Sequence, residues 1–221
     1  MNKWKESELV RSLLGFFLLI LLFVGLFIFV VPSTHQSSKI AEKIKSIKNE
    51  KVTYVAIGDS LTQGVGDSSN QGGFVPVLSQ ALESDFDWQV TSRNYGIAGN
   101  TSNQILKRMQ EKKDIQRDLK KAKVMTLTVG GNDVIHVIKD NITNLNVDTF
   151  TKPAQAYQKR LGQIIELARK ENKTLPIYIV GIYNPFYLNF PEMTEMQTIV
   201  DNWNQSTEEV CKKYDNVYFV P

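Results

Sequence analysis

The sequence predicts an α/β fold: a five-stranded parallel sheet flanked by helices, behind one N-terminal transmembrane helix. Three observations carry that prediction. Residues 13–31 form an unbroken apolar run. From residue 52 onward, short apolar, β-rich runs alternate with helical patterns, the signature of a parallel sheet with crossover helices. Three of the runs end in polar turns that contain glycine: Gly58-Asp59-Ser60-Leu61, Asn94-Tyr95-Gly96-Ile97-Ala98-Gly99-Asn100-Thr101 and Val129-Gly130-Gly131-Asn132-Asp133. Open α/β sheets bind their ligands at that end of the strands.

A chain of 221 residues divides naturally into a membrane segment and one domain with a sizeable core. The boundaries read as a short cytoplasmic N-terminus at 1–12, an anchor at 13–31, a stalk at 32–50 and the domain at 51–221. Formal net charge is +3, and the lysines are scattered among acidic residues as on a solvated surface. Nothing in that balance demands nucleic acid. The single cysteine, Cys211, cannot form an internal disulfide and reads as a buried thiol. No Cys/His spacing suggests a metal site. Phosphoryl transfer is disfavoured, because there is no Gly-x-x-x-x-Gly-Lys-Ser/Thr run and Gly58-Asp59-Ser60 lacks the lysine that reaches phosphates.

As a helix, the nineteen residues at 13–31 match roughly the hydrocarbon thickness of a bilayer. The run exceeds the apolar region of a signal peptide, about 7–15 residues, and no A-x-A cleavage site follows it. An uncleaved anchor is therefore favoured over a cleavable signal. Lys3, Lys5 and Arg11 argue for the N-terminus inside, although Lys39, Lys43, Lys45 and Lys48 stand on the other side. Within the stalk, Ile40, Ile44 and Ile47 are spaced for one helical face.

The domain opens with a strand at 52–57. Gly58 lets the backbone turn sharply, which sets Ser60 at the carboxyl end of the strand beside a helix N-terminus. A helix follows at 74–84, with Pro76 near its start, and a second strand at 88–94. Thr101 or Ser102 caps a helix whose inner face is Ile105, Leu106 and Met109. Residues 114–121 read as a charged, exposed helix end. A third strand at 124–129 leads into a helix at 132–140. Residues 141–152 are polar and form either a surface loop or a lid. Pro153 opens a long helix with Ala154, Tyr157, Leu161, Ile164, Ile165 and Ala168 on one face.

The fourth strand is 175–180. The loop after it, 181–191, leaves on the same rim as Ser60. Its aromatics either wall an acyl or sugar pocket or pack the loop onto the domain. Asp59, Tyr183, Asn184 and Phe186 are the candidate substrate-binding residues. A last helix at 192–213 carries Met193, Met196, Ile199, Val200, Trp203, Val210 and Cys211 inward, and 216–220 is the fifth strand.

The three glycine-bearing blocks, in this order, resemble those of the SGNH hydrolases, also called GDSL esterases or lipases. The resemblance covers roughly residues 51–221. It implies a flavodoxin-like three-layer α/β/α sandwich and a serine ester hydrolase that needs no metal or organic cofactor. It makes Ser60 the nucleophile. The backbone N–H groups of Ser60 and Gly99 and the side-chain amide of Asn132 become the oxyanion donors. Uncharged donors of this kind suit a charge that exists only in the transition state. Substrates in the resembling family include lipid, thioester and carbohydrate acetyl esters. Many relatives are exported, which implies a single-pass protein of the cell membrane, domain outside, acting on lipid or acylated envelope glycan.

The family also supplies an Asp-x-x-His near its C-terminus, the histidine being the general base. This sequence contains no such motif, and its only histidines are His35 and His136. On a helix His136 shares the face of Asn132 but sits one turn further from the site. A serine without its base is a poor nucleophile, and the loss costs about 10³- to 10⁶-fold in turnover. The polypeptide as given is therefore expected to be a weak or inactive esterase; the alternatives are a catalytically dead envelope binding protein or a truncated gene product. The family's final helix is also missing, so reduced stability and association through uncovered apolar surface are expected.

Overall fold

Both faces of the first strand are apolar, so it is fit only for the middle of a sheet covered on both sides. The computed structural model, which describes residues 50–69, 71–141, 146–184 and 194–221, has it there. In β1 (Glu50–Gly58), Tyr54, Val55, Ala56 and Ile57 are fully buried. β1 pairs parallel with β2 (Trp88–Gly96) on one side and β3 (Ala122–Thr128) on the other. β4 (Ile177–Val180) and β5 (Val217–Val220) continue outward, giving the order β2-β1-β3-β4-β5, parallel throughout. This is the flavodoxin-like order. Its direction of winding reverses between β1 and β3, the place where such sheets bind ligands.

The helices in chain order are α1 (Ser60–Gln63), α2 (Phe74–Phe86), α3 (Ser102–Glu111), α4 (Lys113–Lys121), α5 (Gly131–Asp140), α6 (Thr151–Glu171) and α7 (Thr194–Cys211). A 3-10 turn, Val147–Phe150, precedes α6. The larger core lies on the sheet face made by Val55, Ile57, Met125, Leu127, Ile177 and Ile179. Ile105 and Met109 of α3, Ile164 and Ile165 of α6 and Trp203 of α7 pack there. On the opposite face Tyr54, Ala56 and Val124 meet Val75, Leu78 and Leu82 of α2. Further along that face Tyr178 and Tyr218 stack at 5.1 Å between ring centres, and both remain exposed.

Several boundaries differ from the sequence expectation for local reasons. Residues 114–121 are not an exposed helix end. α4 is a separate amphipathic helix whose Ile115 and Leu119 are buried in the core, while its lysines, Asp114 and Arg117 are exposed. Its buried Asp118 accepts from the Tyr95 hydroxyl at 2.8 Å. α6 starts at Thr151, so Pro153 falls within the first turn, where its missing N–H leaves no bond unmade. β4 begins at Ile177 rather than 175. Pro176 has no N–H to give, although its carbonyl still accepts from Met125 N at 3.0 Å.

The apolar run 13–31, the stalk with Ile40, Ile44 and Ile47, His35, Phe186 and Met193 lie outside the described residues. Among the described residues no helix is long and apolar enough to cross a membrane.

Candidate active site

The sheet register brings the three glycine-bearing turns to one edge. Gly58 is opposite Gly96, and Ile57 is opposite Leu127, which is opposite Ile179. Ser60, the 97–101 turn, the 130–133 turn and the 181–184 segment therefore leave adjacent strands at the same end.

Ser60 opens α1, directly after the helix cap Asp59. The Asp59 carboxylate accepts from Leu61 N at 3.1 Å and from the Thr128 hydroxyl at 2.7 Å. Asp59 N in turn donates to Thr128 Oγ1 at 3.2 Å. Thr62 Oγ1 lies 2.8 Å from the same Thr128 oxygen. These bonds fix the turn between β1 and α1 to the end of β3. Gly58 makes the approach possible: a Cβ there would lie 2.2 Å from Thr128 Oγ1 and 2.5 Å from Thr62 Oγ1. Of the candidate substrate-binding residues, Asp59 lines the cleft, but its carboxylate is engaged in holding the turn.

The second turn is held from both sides. Gln63 of α1 accepts from Ala98 N at 2.6 Å. Asn132 Nδ2, at the start of α5, donates to the backbone carbonyl of Asn100 at 3.0 Å. An amide nitrogen carries two hydrogens, so Asn132 keeps a second donor. Gly99 is exposed and has φ +77°, the left-handed region that glycine adopts without strain.

Ser60 and Asn132 line a single cleft of about 160 Å³. Its other walls are mostly apolar, with Val134, Ile135 and Ile138 from α5, Ile182 after β4, and Met196 and Val200 from α7. Tyr183 lines it too and is 65% exposed. Asn184 is not one of the residues lining the cleft, and its side chain donates to Gln197 Oε1 at 3.3 Å. The 181–184 segment is held by Asn204, which accepts from Ile182 N at 2.9 Å and donates to Ile182 O at 2.8 Å. His136 is exposed and is not one of the residues lining the cleft.

Three supporting residues escape the sequence reading: Thr128, Ser102 and Arg160. Thr128 precedes a recognisable turn, and Ser102 reads there only as a helix cap. Arg160 is a charged residue on the long helix, separated from every block, and only the fold brings it to Asp133, 3.1 Å away.

This is a flavodoxin-like α/β domain with its candidate nucleophile at the carboxyl edge of a doubly wound sheet. The chain belongs to the GDSL-like Lipase/Acylhydrolase family, whose model matches residues 56–221. It is 33% identical over 183 residues to the uncharacterized protein YpmR of Bacillus subtilis, covering 82% of this chain and 71% of that one. It is 28% identical over 137 residues to the spore germination lipase LipC of Bacillus licheniformis, covering 60% of this chain and 64% of that one. Among solved structures, the lipase Lip_vut3 from a goat rumen metagenome shares the fold with a TM-score of 0.68 at 23% identity, over 77% of this chain and 80% of that chain. AlinE4, an SGNH-hydrolase family esterase, shares it with a TM-score of 0.54 at 23% identity, over 78% and 77%.

Proposed function

We propose that this chain is a serine ester hydrolase of the GDSL/SGNH type. Ser60 Oγ attacks the acyl carbonyl and its proton passes to water. The carbonyl oxygen becomes an oxyanion held by the N–H groups of Ser60 and Gly99 and the free amide hydrogen of Asn132. The oxyanion then collapses, the bond to the alkoxy oxygen breaks and the alcohol leaves with a proton; water attacks the resulting acyl–Ser60 ester, releasing the acid and restoring the serine hydroxyl. The observation that carries this reading is the single cleft shared by Ser60 and Asn132, with Asn132 tied to the residue after Gly99. Preorganised donors of this kind typically supply more of the rate enhancement in acyl transfer than any other single effect. Asp59 serves in this reading as a positioning residue for Ser60.

The mostly apolar lining favours the acyl part of the substrate over a charged group. The apolar run 13–31 supports a membrane-anchored protein. In this reading the domain stands outside and acts on lipid or acylated envelope glycan. Neither histidine of the sequence supplies a base in this reading: His136 stands exposed outside the cleft lining and His35 precedes the domain. Turnover by the 221-residue polypeptide is therefore slow.

Hydrolysis of a short p-nitrophenyl ester by the full chain, beside Ser60→Ala, tests the proposal once circular dichroism has established that both are folded. Slow hydrolysis that disappears in Ser60→Ala supports it. Equal rates for the two proteins sink the ester-hydrolase reading and favour a binding protein that uses the cleft without chemistry.

A further inference from the structure

Arg160 belongs to α6 and to none of the glycine-bearing blocks. Its side chain is only 27% exposed, an uncommon position for a cation on a helix with a solvent face. Nε donates to Ser102 Oγ at 2.7 Å, and Nη2 donates to Asp133 Oδ1 at 3.1 Å. Ser102 is fully buried and gives both of its own donors to the same carboxylate. Its N–H reaches Oδ2 at 2.8 Å and its hydroxyl reaches Oδ1 at 2.5 Å.

The chain positions of these partners matter. Ser102 begins α3, immediately after the turn that contains Gly99 and Asn100. Asp133 lies in the first turn of α5, next to Asn132. The knot therefore joins the two segments that carry Gly99 and Asn132, and the Asn132–Asn100 bond crosses the same gap. A buried ion pair is a poor source of net stability, whereas fixing one arrangement of two segments is a well-attested use of one.

We infer that Arg160 is a positioning residue of the oxyanion hole: acting through Ser102 and Asp133, it fixes the separation between the Gly99 N–H and the Asn132 amide. The functional half of this inference rests on the ester-hydrolase reading; the positional half does not. Donors act on a developing charge only when they are held in place beforehand, and a misplacement of about 1 Å costs on the order of 10²-fold.

The test uses Arg160→Gln, which removes the charge, and Arg160→Lys, which keeps it. Both are made in the full chain and checked by circular dichroism. Expected for Arg160→Gln is a fall in kcat of about 10- to 100-fold with KM little changed. Arg160→Lys recovers part of it. In an Asn132→Ala background the Arg160→Gln change has almost no further effect, because the group it positions is gone. Losses that simply multiply would mean a general structural role and overturn the inference.

A second readout does not depend on catalysis. The Asn132 side-chain amide resonance, identified by its loss in Asn132→Ala, exchanges its hydrogens several-fold faster in Arg160→Gln than in the parent. Unchanged exchange overturns the inference. Should the parent show no Ser60-dependent hydrolysis, the ester-hydrolase reading fails and the amide measurement alone decides the positional half. Where Arg160→Gln does not fold, both readouts are taken on Arg160→Lys, with smaller changes in the same direction.

Discussion

The side-chain amide of Asn132 donates to the backbone carbonyl of Asn100 at 3.0 Å, across the gap between the second and third strand-end turns. One hydrogen of the amide is held there, so the other has a fixed direction. Asn132→Ala is expected to lower kcat by about 10²- to 10³-fold, the usual cost of one oxyanion donor. KM should change little, because the donor acts on charge that the substrate lacks in its ground state. Steady-state kinetics on a p-nitrophenyl ester measure both values.

Gly58 is the close-approach point beneath the nucleophile. A methyl group would lie 2.2 Å from Thr128 Oγ1 and 2.7 Å from the Thr128 backbone oxygen. Neither partner is the loose end of a long side chain. Gly58→Ala is predicted to destabilise the domain by about 1–3 kcal/mol through overpacking. The expected sign is a lowered midpoint in thermal or urea unfolding, and an unchanged midpoint would mean that β1 and β3 part easily here.

Asp67 organises the 64–73 loop. Its carboxylate accepts from Ser69 Oγ and Ser69 N, and from the N–H groups of Gln71, Gly72 and Gly73. The Ser69 hydroxyl bond above all, then those from the Gly73 and Ser69 backbone, hold its pKa well below the usual carboxylate range. A carboxyl with a depressed folded-state pKa stabilises fully above its unfolded value and loses that contribution as pH falls through the folded one. The loop should therefore stay closed at about pH 4, near the ordinary value for aspartate, and open only in stronger acid. Amide hydrogen exchange at Gly72 and Gly73, measured down the pH scale and corrected for intrinsic rates, checks this. Asp67→Ala should show the open-loop rates at every pH.

Cys211 is 3% exposed on the inner face of α7, and burial pushes its thiol up to about 11. The thiolate is the reactive form, so native protein at pH 8 should label with a thiol reagent far more slowly than unfolded protein. Comparing rates with and without denaturant tests it. Fast native labelling would mean that α7 lifts readily from the core.

Much of the fold was legible because it depends on local pattern. The double apolar face of β1, the period of Tyr157, Leu161, Ile164 and Ile165 in α6, and the inner stripe of α7 each fixed an element and its buried side. The region 114–121 misled for a physical reason. Its charges dominate the composition, while two apolar residues four apart, Ile115 and Leu119, decide how it packs. Pro153 signalled a helix start two residues late, since the first turn tolerates proline at more than one position.

For the site, local signals specify the residue types and their order: a serine after a strand, a glycine turn, and an asparagine at a helix start. Each is a short-range signal, written within a few residues of its strand. Their mutual placement comes from the packed sheet. The parallel register of β2, β1 and β3 sets three turns on one edge. Thr128 then reaches Asp59 across 69 residues and Arg160 reaches Ser102 across 58. No local pattern encodes such bonds, because a hydroxyl or a guanidinium finds its partner only after the helices and strands between them have packed.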